Sequence, residues 1–386
     1  MSRCINKFIV GAVLALGLIF TLTYPSEPNP IDKTKAPEIN NQKKWRIGYM
    51  ESESFVNYGS HLYHLLRGLE ELGWLTSIEA LPYQPGQQDT HMMWQWLAAN
   101  EVSPYLDFVP DAHYTLSTDP QLANQVIHRL REKEDLDLVF VMGTYAGTVA
   151  ATDQHRIPTM VMSASNAVDS NIVKNEETSG IPHVWAHMDS TRFYRQLQVF
   201  HDQFNFKKLG MVYENSAAAR SYSAVNDAMA LGKERGFEVI SYHVAEPTLD
   251  GNTERYYRQL AEAYQNLAGE VDAMYITMAA IDSQKLPQLL KPFHDKKIPT
   301  LSQLGGSEVK YGVLMSITID DNTNIGRFEA ATLTKILRGT PPGQLPQVFR
   351  STPHILLNLE TAERIGYQTP FEILLVADEL YPNIAE

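Results

Sequence analysis

In 386 residues the sequence holds one cysteine, Cys4. No internal disulfide can form, so the compartment must be read from targeting signals and not from cysteine pairing. Basic residues are also short, 32 Lys and Arg against 45 Asp and Glu, for a net charge of −13. A surface of that sign repels a phosphate backbone, which argues against a protein that grips nucleic acid. Motifs that mark common chemistries are missing too. There is no G-x-S-x-G, no Walker A loop and no G-x-G-x-x-G. His61 and His64 could share one helix face, but no carboxylate or cysteine follows at ligand spacing, so no metal site is read there. Neither catalysis nor a cofactor is expected.

Long uncharged runs are confined to the start. Arg3 and Lys7 precede Phe8 to Tyr24, a stretch without a charge, and without those two cations the remainder carries −15. A basic segment followed by an apolar run is the pattern of an export signal. The exit, Thr21-Leu22-Thr23-Tyr24-Pro25, lacks the small-residue cleavage pattern. Residues 1–24 are therefore either a cleaved signal peptide or an uncleaved N-terminal membrane anchor, a hydrophobic helix in both cases. Either places the body in the periplasm or otherwise outside the cytoplasmic membrane. Residues 25–44, rich in Pro, Asn, Lys and Glu, read as a disordered linker.

The whole chain of 386 residues is 44% hydrophobic, with a mean hydropathy of −0.25. That length suits two domains and an appendage. The most informative stretch is Asp137 to Asn166. Asp137 to Met142 is an unbroken apolar run, as in a parallel strand buried on both faces. Gly143 breaks it, Thr144 is placed as the cap of a short Ala-rich helix to Thr152, and Thr159 to Met162 is the next strand. Two strand ends thus bring Thr144, Tyr145, Ser163 and Ser165 to one edge, where open α/β sheets bind ligands.

Strand, polar turn and helix alternate on either side of this stretch. Trp45 to Met50 is a strand that ends at Glu51. Leu62, Leu65, Leu66, Leu69 and Leu72 lie at helical spacing on a helix over 58–72, which Gly73 stops. Tyr105 to His113 is a strand interrupted by Pro110, and Pro120 opens a helix to Lys133. Between them, 76–100 is irregular, with Met92, Met93, Trp94 and Trp96 either packed on the lobe or capping a cleft. A strand at 183–187 follows, then a helix over 191–203 capped by Asp189 and Ser190. The pattern then restarts. Strands are expected at 208–213, 237–243, 271–277, 298–302 and 312–319. Helices are expected at 217–235, 252–267, 282–294 (kinked at Pro287 and Pro292), 320–337 and 359–365. The two series, about 45–188 and 189–311, predict two doubly wound parallel-sheet lobes of an α/β protein.

At this point the residues match a known family. The chain resembles the ABC-transporter substrate-binding proteins of the type I periplasmic-binding fold, in the branch that includes tryptophan- and tyrosine-binding members. The tail carries the most specific likeness: Ile355 to Gly366, then Pro370 and the run FEILLVADEL ending at Leu380, is similar to "INLKTAKKLG", a proline and "LLxRADEVI". Gly143-Thr144-Tyr145-Ala146 is similar to "GTPA", Gly210 to Asn215 to "GxIYN", and Gly326 to Gly339 to "GRxTGxxAxKILKG". The departures fall at turns. Ser165-Asn166-Ala167 stands where the family often has Thr-Asp-Pro, and Met278-Ala279 where it has Asp-Asn. The region 76–117 is also longer and richer in Trp and Met.

The resemblance implies two lobes joined by a multi-strand hinge, residues 45–188 with about 316–340 forming one and 189–315 with about 341–386 the other. It implies a solute-binding protein of an ABC uptake system, with a membrane permease as partner. A ligand-sensing module held by the anchor and signalling to a membrane partner is the alternative. The residues themselves suit an amino acid or similar carboxylate. Thr144, the amides after it, Ser163 and Ser165 would hold its acidic group. Glu51, Glu214 or Asp320 would hold an ammonium group. Phe55, Tyr58, Tyr145, Tyr213 and Tyr222 would stack on an apolar side chain. Asn215, Thr277 and Gln303 complete the set at strand ends of the second series.

Overall fold

The computed structural model describes residues 37–385, apart from 118, 190, 246–252, 278–280, 319–321 and 350–352. The hydrophobic N-terminal segment and Asp320 lie outside the described residues. Of the stretch read as linker, 37–44 is described. It folds into a turn in which Asn40 and Lys43 exchange backbone hydrogen bonds of 2.8 Å, and the Trp45 indole donates to the Glu38 carbonyl at 2.9 Å.

Two sheets organise the chain. The first contains β1 (Trp45–Glu51), β2 (Leu106–Thr115), β3 (Leu138–Met142), β4 (Thr159–Met162) and β5 (Val184–Ala186), all parallel in the order β2-β1-β3-β4-β5. Every residue of β3 and β4 is buried, and apart from Thr159 at the start of β4 these runs are apolar. The second sheet contains β6 (Lys208–Glu214), β7 (Glu238–Val244), β8 (Ala273–Ile276), β9 (Thr300–Ser302), β10 (Met315–Thr318), β11 (His354–Asn358) and β12 (Ala377–Tyr381). Its order is β12-β11-β10-β9-β8-β6-β7. It is not wholly parallel: β11 runs antiparallel to β10, and β12 follows β11. The tail motif thus builds the reversed edge of this sheet.

Several elements differ from their sequence reading for identifiable reasons. The region 76–100 contains a helix, His91–Ala99, with Met93 and Trp94 fully buried on β2 and Met92 exposed. Pro110 costs β2 a donor, and its register against β1 jumps from Phe108 to His113. The helix expected at 217–235 is two, Ala217–Tyr222 and Val225–Arg235, broken where Ala224 takes φ 57°. The one at 282–294 divides into Ser283–Lys285, Leu286–Leu289 and Lys291–Asp295, the last two with a proline in the first turn. The helix Arg192–Phe204 is not capped by Asp189, which instead pairs with Arg195.

The chain passes between the sheets between β5 and helix Arg192–Phe204, between β10 and helix Asn322–Leu337, and between that helix and β11. Met188 and Val348 form a parallel bridge, with the Met188 amide donating to Gln347 (2.9 Å) and the Phe349 amide to Met188 (3.1 Å). Helix Asn322–Leu337 follows a strand of the second sheet but packs along helix Val56–Glu71 of the first. Two glycines permit that contact. A Cβ on Gly326 would lie 2.4 Å from the backbone of His64, and one on Gly68 would lie 2.7 Å from the Gly326 carbonyl. Gly326→Ala is therefore expected to lower unfolding stability by about 1–3 kcal/mol through overpacking. Urea denaturation measures this; a variant as stable as the parent would mean that the helices separate freely.

Candidate functional site

The C-terminal ends of β1, β3 and β4 meet at Gly143. Its φ of 90° suits glycine. Space demands glycine as well, since a Cβ there would sit 1.9 Å from the Tyr58 hydroxyl and 2.7 Å from Ser52 Oγ. Ser52 Oγ in turn accepts from the Ala146 amide at 2.9 Å, and the Gly147 amide reaches the Gly143 carbonyl at 3.0 Å. Gly143, not Thr144, is thus the cap position of helix Thr144–Ala150. The amides of Thr144 and Tyr145 meet no acceptor among the described residues. Thr144 is free of capping and uses its hydroxyl differently: Oγ1 accepts from the Ser165 amide at 3.1 Å. Ser163, at φ 55°, turns the chain toward that contact.

The aromatic candidates of this edge are also present. Phe55 and Tyr58 meet edge-on with centroids 5.3 Å apart. Tyr58 is buried, and burial pushes its phenol well above the usual range. Tyr145 is half-buried. Glu51 is placed otherwise than its strand-end position suggested. It is 1% exposed and takes three hydroxyls, from Tyr49 (2.8 Å), Thr90 (2.6 Å) and Thr115 (2.7 Å). Its carboxylate is thereby committed inside the first sheet's layer.

The second sheet gathers Glu214, Tyr222 and Gln303. The Tyr222 hydroxyl donates to Glu214 Oε2 at 2.8 Å, and Gln303 Nε2 donates to the Tyr222 carbonyl at 2.8 Å. Thr277 spends its hydroxyl on the Val212 carbonyl at 2.5 Å. Tyr213 is buried edge-on against His243, and Asn215 is exposed. Below Gln303, Ser302 Oγ donates to Glu308 while accepting from the Gly305 amide at 2.8 Å. Burial pushes Glu308 up to about 8.

One side chain reaches the first edge from beyond β5. Arg192, at the start of the first helix after β5, donates through Nη2 to the Ser165 carbonyl at 3.3 Å. Ser165 is thus held by Thr144 on its amide and by Arg192 on its carbonyl. Asp227, on helix Val225–Arg235, is pushed up to about 6 by burial and by the charge of Asp169, with Arg192 opposing. Ser52, Arg192 and Asp227 were not legible from sequence. Ser52 stood in a turn read only as polar, and Arg192 and Asp227 sit in helices whose apolar spacing says nothing of their partners. A small hollow at this junction is lined by Ser165, Asn166, His187 and Met188. A broader one, lined by Asp153, Arg156, Pro182, His183 and Pro342, lies beside Pro158 at the opposite end of β4, away from the turns. Among the described residues no group of three or more His, Cys, Asp or Glu is placed to hold a metal ion.

Comparison with known proteins agrees with this fold. The model of the family "ABC transporter substrate binding protein" matches residues 112–381. A "Tyrosine-binding protein" of Clostridioides difficile (strain R20291) is 22% identical over 368 residues, 95% of this chain and 93% of that one. Among solved structures, the ABC domain in complex with L-Trp from Streptococcus pneumonia superposes with a TM-score of 0.62 at 18% identity, over 88% of this chain and 100% of that one. A conserved domain protein from Vibrio cholerae gives 0.61 at 20% identity, with the same coverage. At these identities the structures establish the fold.

The buried acid of the second edge makes a pH dependence testable. Glu308 titrates at about 8 in the fold against 4.5 for a free carboxyl. Its raised value means that the folded state holds a proton the unfolded chain releases. Stability should therefore fall as pH rises from 4.5 to about 8 and level off above. Glu308→Gln should flatten that decline in urea unfolding; a variant with the parent's slope would place the titrating group elsewhere.

Proposed function

Given that the chain belongs to the family of ABC transporter substrate-binding proteins, we propose that it binds a small carboxylate-bearing solute, an aromatic amino acid above all, between the turn edges of its two sheets. The bound form then docks on a membrane permease. The observation that supports this reading is the junction of Thr144, Ser165 and Arg192, where a side chain from the helix after β5 reaches the turn edge of the first sheet. The amides of Thr144 and Tyr145 and the Thr144 hydroxyl offer donors to a carboxylate. Phe55, Tyr58, Tyr145 and Tyr222 offer ring faces, and Glu214 and Asp227 offer negative charge for an ammonium group. Asp320 and Ser163 are kept as contacts of the same cleft, and Asn215, Thr277, Tyr213, Gln303 and Glu51 as its walls.

In this reading 45–188 with about 316–340 form one lobe and 189–315 with about 341–386 the other, and the strands at Met188 and Val348 belong to the hinge. The packing of helix Asn322–Leu337 against helix Val56–Glu71 supports that exchange. The body lies outside the cytoplasmic membrane. If uncleaved, the apolar run Phe8–Tyr24 would tether it there, and a tethered sensor is the second reading, favoured by the missing cleavage pattern.

Thermal-shift measurements against the common amino acids test the proposal. A ligand at a hundred times its Kd should stabilise the fold by about 2.7 kcal/mol. Thr144→Val should then weaken the best ligand about tenfold or more, through loss of a hydrogen bond to a charged group worth about 1.5–3 kcal/mol. A well-folded protein that ignores every amino acid would overturn the ligand class, and full affinity in the valine variant would overturn the role of Thr144.

A further inference from the structure

A chain of polar side chains runs from the surface to Glu51 behind the first sheet. It begins at Gln95 and His91 on helix His91–Ala99, passes to His113 on β2 and ends through Thr90. Gln95 Nε2 lies 2.7 Å from His91 Nε2, the His91 and His113 Nδ1 atoms are 3.4 Å apart, and His113 Nε2 is 2.9 Å from Thr90 Oγ1. Thr90 then donates to Glu51 Oε2 at 2.6 Å.

The protons can be assigned along this chain. Glu51 is an acceptor for three hydroxyls, so the single Thr90 proton points at it. Thr90 Oγ1 must then accept from His113, which puts the ring proton of His113 on Nε2 and leaves a lone pair on Nδ1. That lone pair faces the Nδ1 of His91.

The gap of 3.4 Å is long for an N–H···N hydrogen bond. It does equal the separation that a tetrahedral ion imposes, since bonds of about 2.0–2.1 Å set two ligand nitrogens about 3.3–3.4 Å apart. The rings lie at 69° with centroids 5.0 Å apart, so they tilt toward one another. We infer that His91 and His113 together bind one divalent transition-metal ion of the zinc type through their Nδ1 atoms, with water in the remaining positions. The surroundings suit a ligand pair. His113 stacks on Tyr49 at 4.8 Å and donates its other nitrogen toward a carboxylate through Thr90, the arrangement that fixes metal-bound imidazoles. Asp89 accepts the His91 amide at 2.8 Å and supplies negative charge beside His113. Loading the site requires only that the His91 proton leave Nδ1 for Nε2, where the Gln95 amide turns to accept it.

The metal site does not rest on the solute-binding reading. Zinc titration of the tag-free chain by calorimetry tests it, with cobalt difference spectra as a second readout. One equivalent of zinc is expected at neutral pH and none in acid, where protons displace metal from imidazole. His91 is exposed, so His91→Ala should keep the parent's metal-free melting temperature and weaken zinc about tenfold or more. His64→Ala, on another helix, should leave binding unchanged. Cobalt should give a tetrahedral spectrum in the parent and lose it in His91→Ala. No heat and no cobalt spectrum in the parent, or equal zinc affinity in His91→Ala, would overturn the site.

Discussion

The structure at the turn edge of the first sheet depends on a missing side chain. At Gly143 the chain leaves β3 and must enter a helix within one residue, at φ 90°. The vacated volume is filled from another element, because the Tyr58 hydroxyl and Ser52 Oγ occupy the space where a Cβ would project. Ser52 can therefore cap the helix from outside, by accepting from Ala146. That frees Thr144 from the capping role its position suggests. Its hydroxyl instead accepts from Ser165, which ties β3's turn to β4's. One backbone conformation thus couples three strand ends, and the cross-sheet contact of Arg192 is built upon the last of them.

The same dependence explains what the sequence revealed and what it concealed. β3 and β4 were legible because burial on both faces leaves no polar residue to interrupt the run. The glycine and the small helix after β3 were legible for the same local reason. Ser52 was not, since its partner Ala146 is remote in sequence. The partners of Glu51 were hidden for a related reason: Thr90 and Thr115, which donate to its carboxylate, lie in later segments of the chain. Helix Val225–Arg235 illustrates the other failure. Its apolar spacing continues across Ala224, and only the left-handed backbone there shows that two helices meet.

Exchange between the two sheets follows from a similar economy of volume. A helix that begins after β10 leaves the second sheet's neighbourhood and lies on helix Val56–Glu71. The approach is possible because Gly68 and Gly326 face each other without side chains. The sequence run beginning at Gly326 pointed to this helix, and its glycine now has a physical reason. The return path passes Val348 beside Met188, so two of the crossings are tied to one another by a parallel bridge.

Charge raises a last difficulty for the proposed ligand. A chain of net charge −13 repels a carboxylate, and its second edge is itself lined by acids. Burial reduces the conflict locally. Glu308, pushed up to about 8, carries little charge at neutral pH, and Asp227, pushed up to about 6, retains a proton more readily than an exposed acid. Glu51 stands behind three hydroxyl donors. Beside the acids Glu214 and Asp227, the junction offers a carboxylate the positive end of the Gly143 turn and the Arg192 guanidinium. An overall acidic protein can thus present a locally positive site, because the field at a short distance is set by the nearest unscreened groups and not by the total charge.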